Sequence, residues 1–194
     1  MINKKDITGI ILSGGKNSRM GKDKGFLSLN GKLFTQYCID ALNPLVSETI
    51  IISNNKDYDR FGLKRVEDVI ENAGPLAGLY SGLLQSKTPY NLVLSCDVPL
   101  VTSKILEKLI ENISDEIDVV QIEIIGKTMP LIALYKTKNK DMFYNLLKSG
   151  ERRLRYAVNQ CHVKNIKLNS EIEKFTFNVN TPEDLKMIEN DCQN

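Results

Sequence analysis

The amino-acid sequence predicts an α/β fold in which a mostly parallel sheet carries helices on both faces. Three short, largely apolar runs at residues 7–12, 49–52 and 91–96 are typical of strands buried inside a parallel sheet. Segments with apolar residues at helical spacing lie between these runs, and the resulting β-α-β-α order favours parallel strands. Because no linker-like stretch or internal repeat interrupts this order, residues 1–194 are expected to form a single domain.

The helices are predicted from the spacing of their apolar residues. One series covers residues 34–45 and a second covers residues 76–84. Thr102 is the predicted N-cap of a third helix, whose inner face carries Ile105, Leu106, Leu109 and Ile110. A further helix is expected to begin at residues 181–184, where a capping Thr is followed by Pro and two acids.

The C-terminal half predicts an antiparallel addition to the sheet. Residues 120–124 alternate between apolar and polar side chains, Gly126-Lys127 can form a turn, and residues 131–135 can return as the second strand of a hairpin. We expect this half to build the pocket of a second substrate, while the N-terminal half binds the first.

Composition indicates a globular protein whose anion-binding sites are local. Hydrophobic residues make up 42% of the chain, and its 26 basic and 24 acidic side chains nearly cancel. This balance gives no indication of nucleic-acid or membrane binding. The four cysteines are scattered and there is one histidine, so a structural zinc site is not expected. Reduced thiols, and the lack of an apolar run long enough for a signal peptide or membrane span, predict a cytoplasmic protein.

The first strand leads into a loop with the features of a phosphate-binding site. Gly14 and Gly15 allow positive φ and a close backbone approach, and successive N–H groups in such a turn can surround an anion. Arg19, Lys22 and Lys24 follow, with enough positive charge to hold three phosphates. The spacing fits neither the G-x-x-x-x-G-K-[ST] phosphate loop nor the G-x-G-x-x-G dinucleotide motif. A surface turn explains the two glycines alone, whereas the whole string favours triphosphate binding.

Two acids follow predicted strands at the edge where this loop also lies. Asp68 comes after residues 64–67, and Asp97 directly follows the apolar run that ends at Cys96. Ligands of parallel α/β sheets bind beyond the carboxyl ends of the strands, and carboxylates there suit an Mg²⁺ ion shared with substrate phosphates. Asp68 is explained equally well as a turn residue. Asp97 needs a partner or a metal, because it abuts a buried strand.

Three further segments are compatible either with ligand binding or with ordinary structure. The small residues of 72–78 either form a plain helix start or let a flat base lie against the backbone. The three arginines of residues 152–155 form either a solvated charge run or an anchor for an anionic second substrate. Asn178 and Asn180 either offer amides at a strand end or form Asx turns.

Taken together, these segments resemble the molybdenum cofactor guanylyltransferase family, within the broader group of α/β nucleotidyltransferases. The resemblance covers nearly the whole chain, in order. The segments that carry it are Leu12-Ser13-Gly14-Gly15 with Arg19-Met20-Gly21 and Asp23-Lys24, Glu67-Asp68, Gly74-Pro75-Leu76-Ala77-Gly78, Cys96-Asp97-Val98-Pro99, Gly150-Glu151-Arg152-Arg153, and Asn178-Val179-Asn180-Thr181-Pro182.

The resemblance implies a Rossmann-like three-layer nucleotidyltransferase fold that uses GTP, Mg²⁺ and molybdopterin to make the guanine dinucleotide cofactor and pyrophosphate. Asp97 would bind Mg²⁺ and act in catalysis with Arg19 and Lys24. The implied nucleotide contacts are Leu12, Ser13, Gly14, Gly15, Lys24, Asn54, Asp68, Gly78 and Asp97. The implied pterin contacts are Arg152, Arg153, Asn178 and Asn180. One departure lies on the pterin side, where Met129 precedes Pro130 in place of the polar residue, often His, that the family commonly carries.

Two other interpretations of the sequence stay open at this point. A cytidylyltransferase or sugar-phosphate nucleotidyltransferase would share the fold, although the first loop and the Gly74-Pro75-Leu76-Ala77-Gly78 segment resemble the guanylyl branch. A non-catalytic nucleotide or cofactor carrier would bind without reaction, although the two acids favour an enzyme. A molybdoenzyme or another protein of cofactor biosynthesis is the expected protein partner.

Overall fold

The computed structural model describes residues 2–13, 23–70 and 73–191. Within these ranges, the β-strands are β1 (Ile7–Leu12), β2 (Ser28–Leu29), β3 (Lys32–Leu33), β4 (Glu48–Ile52), β5 (Lys64–Val66), β6 (Tyr90–Ser95), β7 (Val119–Ile124), β8 (Lys127–Lys136) and β9 (Val163–Lys167). The α-helices are α1 (Phe34–Leu42), α2 (Gly74–Gln85), α3 (Ser103–Glu111), α4 (Lys140–Lys148), α5 (Leu154–Val158) and α6 (Pro182–Asp191).

Seven of these strands form one sheet in the order β5-β4-β1-β6-β8-β7-β9. β8 is antiparallel to both of its neighbours, and every other pair in this sheet is parallel. The predicted α/β class, the mostly parallel sheet and the antiparallel addition in the C-terminal half are therefore confirmed. The chain extends the sheet from β1 through β4 to β5 on one side before it returns to β6 on the other, so β1 lies at the topological switch point where α/β proteins bind ligands.

Helices cover both faces of the sheet because the strands that they cover are apolar on both faces. All six residues of β1 are buried, and its alternate side chains pack in two separate cores. Ile11 packs in the core on the α1 and α3 face, whereas Ile10 and Leu12 pack in the core on the α2, α4 and α5 face. The predicted three-layer arrangement follows from this alternation.

The β7–β8 hairpin has the predicted strands but a different turn. The turn residues are Ile125 and Gly126, with φ of 48° and 72°, rather than Gly126 and Lys127. Positive φ at both central residues is the primed turn that matches strand twist, and Gly126 adopts it without strain. Pairing shifts register between Gln121 and Ile122, and this irregularity lets Pro130 lie within β8.

Two predicted helix starts are present, but only one uses its predicted cap side chain. Thr102 is the N-cap residue of α3, yet its side chain makes no capping hydrogen bond. At α6, the Asp184 N–H donates to the Thr181 hydroxyl oxygen over 3.1 Å, and an Asp184 oxygen accepts from the Thr181 N–H over 2.9 Å. This reciprocal pair is a capping box. Within the described ranges, every helix falls short of what crossing a membrane requires in length and apolarity.

Candidate active site

The carboxyl ends of four parallel strands place predicted site residues along one edge of the sheet. Leu12 ends β1 and Ser13 follows it, with its N–H donating to the Ile52 carbonyl over 3.0 Å. Asn54, Asp68 and Asp97 follow β4, β5 and β6 at the same edge. Among the predicted loop residues, Gly14, Gly15 and Arg19 lie outside the described residues.

Lys24 reaches the centre of this edge from the short 3-10 turn Lys24–Phe26. Its ammonium Nζ lies 3.5 Å from Asp97 Oδ2 and donates to Asn180 Oδ1 over 2.5 Å. The side chains of Lys24 and Asp97 are only 13% and 16% exposed, so little solvent screens their attraction. The structure thus brings together a predicted triphosphate contact, a predicted metal ligand and a predicted pterin contact.

The backbone of Asp97 also fixes the segment that carries the two predicted asparagines. The Val179 N–H donates to the Asp97 carbonyl over 2.8 Å, and Val179 itself is fully buried. Residues 177–180 are not a strand, so of the two interpretations of Asn178 and Asn180 the strand end is excluded. The buried Val179 side chain and its bond to Asp97 hold this segment in place without a sheet neighbour.

A second group of predicted nucleotide contacts lies at the end of β5. The Asp68 N–H donates to Asn54 Oδ1 over 2.9 Å. Asp68 Oδ1 is buried and has no hydrogen-bond partner among the described residues, and burial raises the pKa of this carboxyl. A Cβ atom placed on Gly78 would lie 3.4 Å from Asp68 Oδ1, so the α2 backbone at Gly78 closely approaches this unsatisfied acceptor. Such an oxygen is suited to a ligand with N–H donors.

The two acids do not form a shared metal site. β5 and β6 are three strand spacings apart in the sheet order, which is roughly 14 Å. Asp68 and Asp97 thus lie at the same edge of the sheet, as the sequence predicts, but β4 and β1 separate their strands. Within the described ranges, no three His, Cys, Asp or Glu side chains gather as a metal cluster.

Asp97 has a feature that fits a metal ligand. Its Oδ2 faces Lys24, whereas its Oδ1 is buried without a hydrogen-bond partner among the described residues. Mg²⁺ in nucleotide enzymes is commonly held by one or two carboxylates, with phosphates and water completing the shell. A single carboxylate with one free oxygen beside a phosphate site is consistent with that chemistry.

A groove of about 890 Å³ begins at Asp97 and runs along β8 and α5. Its lining includes Asp97, Asn178, Arg153 and Tyr156, together with Met129 and Pro130 on β8. The groove therefore joins the Lys24–Asp97 site to the C-terminal half of the chain, where the second substrate's pocket is expected.

The two predicted pterin-side arginines have different surroundings. The Arg153 guanidinium forms two bonds with the Glu151 carboxylate, of 2.9 and 2.6 Å, and lowers the pKa of Glu151 to about 2. The Arg152 guanidinium instead donates to the Leu147 carbonyl over 2.7 Å, near the end of α4. Arg153 thus lines the groove, whereas Arg152 makes a structural contact. A pterin-binding role of either residue stays a prediction.

A part-buried hydrogen-bond network lies next to Lys24. Asp23 accepts hydrogen bonds from the Gly25 N–H, the Tyr58 hydroxyl and the Asn55 amide over 3.1, 2.5 and 3.2 Å. Asp23 belongs to a segment that carries the family resemblance, but the sequence did not indicate its partners Tyr58 and Asn55.

Comparison with known proteins identifies the family to which this chain is related. Residues 9–163 match the MobA-like NTP transferase domain family. The chain is 31% identical to the molybdenum cofactor guanylyltransferase of Vibrio vulnificus, over 91% of each chain. It is 32% identical to that of Yersinia pestis strain Pestoides F, over 95% of each chain.

A solved structure has the same fold. Molybdopterin-guanine dinucleotide biosynthesis protein A from Archaeoglobus fulgidus superposes with a TM-score of 0.81, at 23% identity, over 96% of this chain and 98% of its own. Because the family match covers most of the chain and the two relatives align with nearly all of it, this chain is a nucleotidyltransferase that belongs to the MobA-like NTP transferase family, among the molybdenum cofactor guanylyltransferases.

Proposed function

We propose that the protein transfers GMP from GTP to the terminal phosphate of molybdopterin and releases pyrophosphate, with Mg²⁺ as its metal. The observation that carries the proposal is the contact of Lys24 with Asp97 and Asn180 at the switch point of the sheet. Asp97 also lines the groove that contains Arg153, so the cluster adjoins the proposed acceptor site. A cation and an acid beside such a groove are suited to joining two anionic substrates.

The donor nucleotide is proposed to bind with its base at Asp68 and its phosphates at Lys24. An ionised carboxylate accepts hydrogen bonds only, and guanine offers N–H donors at N1 and N2 on one edge. The lack of a side chain at Gly78 is proposed to let the flat base approach Asp68 Oδ1, from which a Cβ atom at Gly78 would lie 3.4 Å away. Cytosine presents acceptors at the corresponding N3 and O2 atoms, so this carboxylate favours GTP over CTP.

The acceptor is proposed to lie in the groove, with its phosphate close to Asp97. Asn178 and Arg153 line this space. Arg152, the residue before Arg153, is proposed to add positive charge. These positions support the proposed division of the chain into a nucleotide-binding N-terminal half and a pterin-binding C-terminal half. A molybdoenzyme or another cofactor-biosynthesis protein is the proposed recipient of the product.

The reaction is an in-line displacement at the α-phosphorus of GTP. A phosphate monoester is already anionic near neutral pH, so its oxygen attacks without a general base. The bond between the α-phosphorus and the bridging oxygen breaks, and pyrophosphate carries away the negative charge. Lys24, and Arg19 from the preceding loop, neutralise that charge, while Asp97 would hold Mg²⁺, which supplies Lewis-acid stabilisation of the transferring phosphoryl group.

The test is pyrophosphate release by the purified protein with molybdopterin and Mg²⁺, with GTP or CTP as donor. We expect release with GTP and at least tenfold less with CTP. Equal or preferential use of CTP would reject the guanine assignment. Tight GTP binding without pyrophosphate release, in the presence of molybdopterin, would reject the reaction and favour a carrier.

A further inference from the structure

The turn that carries Lys24 is held on both sides by hydrogen bonds, one part-buried and one buried. On one side, the Gly25 N–H donates to Asp23 Oδ1 over 3.1 Å. On the other, the Thr35 hydroxyl donates to the Gly25 carbonyl over 3.0 Å. Since both peptide groups of Gly25 are bonded, the backbone next to Lys24 has a fixed orientation.

Tyr58 provides the support behind this turn. It belongs to the 3-10 segment Lys56–Phe61 and is fully buried, with its ring centroid 4.6 Å from that of Phe26. Its hydroxyl donates to Asp23 Oδ1 over 2.5 Å. Burial raises the pKa of Tyr58, so the hydroxyl keeps its proton and acts as a donor throughout the physiological range.

The fit between Tyr58 and the turn leaves no spare room. A Cβ atom on Gly25 would lie 2.1 Å from the Tyr58 hydroxyl oxygen and 2.5 Å from the Thr35 hydroxyl oxygen. The Tyr58 hydroxyl therefore packs against the Gly25 backbone and also donates its hydrogen bond to the Asp23 carboxylate. The other Asp23 oxygen accepts from the Asn55 amide over 3.2 Å, which ties the same turn to the end of β4.

We infer that Tyr58 is a positioning residue for the donor triphosphate: its hydroxyl holds Asp23, and Asp23 holds the turn that aims Lys24 at Asp97 and Asn180. The Lys24 side chain is flexible, so the position of its ammonium group depends on a fixed backbone and on its contacts with Asp97 and Asn180. The inference rests on the proposed role of Lys24 in binding the phosphates of GTP.

The variant Tyr58→Phe tests this role because it removes one oxygen and keeps the ring packing. We expect about tenfold weaker GTP binding, which is about 1.4 kcal/mol, and unchanged binding of GMP, which lacks the phosphates assigned to Lys24. Asp23→Ala removes the acceptor of all three bonds and should give a larger, equally GTP-specific loss. Tyr135→Phe is the matched control, since Tyr135 is also fully buried and its hydroxyl donates to a carbonyl within β8.

A double-mutant cycle with Lys24→Ala identifies the route of the effect. If Tyr58 acts through Lys24, adding Tyr58→Phe to Lys24→Ala causes no further loss of GTP affinity. Wild-type GTP affinity in Tyr58→Phe, an equal loss for GTP and GMP, or full additivity with Lys24→Ala would overturn the inference. If Lys24→Ala alone retains GTP affinity, the proposed function of Lys24 is wrong, which is a separate outcome.

Discussion

Substitution of Gly78 or Gly82 in α2 by Ala is expected to have opposite effects on the free energy of unfolding. Replacing Gly by Ala inside a helix typically stabilises it by about 0.8–1.0 kcal/mol. At Gly78 the added Cβ would make ordinary contacts, 3.4 Å from Asp68 Oδ1 and 3.5 Å from Leu12 Cδ2. We therefore expect Gly78→Ala to gain up to about 1 kcal/mol of unfolding free energy, which raises Tm by about 2–4 °C.

The same methyl group at Gly78 should weaken nucleotide binding. It occupies the space beside Asp68 Oδ1, where the guanine base is proposed to lie. GTP affinity should fall at least tenfold although the fold becomes more stable, a combination that is typical of binding sites.

Gly82→Ala, one helical turn further along, is the matched control. Its Cβ would lie 2.7 and 2.9 Å from two carbons of Ile10, a fully buried residue of the inner strand β1. Overpacking of this kind costs about 1–3 kcal/mol, which exceeds the helix-propensity gain. We expect a net loss of about 1 kcal/mol, a lower Tm, and GTP affinity close to wild type while the protein is folded.

Thermal unfolding and GTP titration of both variants distinguish the two effects. Wild-type GTP affinity in Gly78→Ala would refute the proposed position of the base beside Gly78. A Gly82→Ala variant more stable than the wild type would refute the expected strain between α2 and Ile10.

Three further predictions concern the charged residues. Asp97→Asn keeps the backbone bond to residue 179 but loses the carboxylate charge, so kcat for pyrophosphate release should fall by about 10²–10³, and a near-native kcat would refute the metal assignment. Burial raises the pKa of Asp68 in the folded protein above its ordinary 3.8, so the free energy of unfolding decreases as pH rises from 3.8 through the folded-state pKa. Asp68→Asn should therefore resist urea better than the wild type at pH 7, and the difference should vanish at pH values below 3.8. Arg153→Ala should raise KM for molybdopterin without changing GTP affinity, whereas Arg152→Ala should mainly cost about 1 kcal/mol of unfolding free energy, measured in urea.

The strand β1 and the site residues Asp97 and Lys24 could be predicted because each is indicated by neighbouring residues in the sequence. The apolar run of β1 predicts a strand, and the observed bounds Ile7–Leu12 match it. Asp97 was a candidate because an acid that directly follows a buried strand needs a partner. Lys24 was a candidate because it follows two glycines and other cations. Each signal involves residues within about one loop of one another.

The contacts that assemble the site could not be predicted, because they join distant parts of the chain. The Lys24–Asn180 bond spans 156 positions, and the Tyr58–Asp23 bond spans 35. Neither residue spacing nor periodicity encodes such pairs. The separation of Asp68 from Asp97 depends on the order of the strands in the sheet. The sequence predicted that these strands are parallel but did not predict their order. The strand order places β4 and β1 between their strands.

Asp97 connects the two halves of the proposed reaction through two different parts of the same residue. Its carboxylate faces Lys24 on the donor side, with one oxygen left for a metal. Its carbonyl accepts the Val179 N–H, which fixes the segment whose next residue, Asn180, also contacts Lys24. Any displacement of this acceptor-side segment therefore moves a contact of the donor-side lysine. For this reason a binding-energy coupling between GTP and molybdopterin is expected at Asn180, and Asn180→Ala should remove it while each substrate still binds alone.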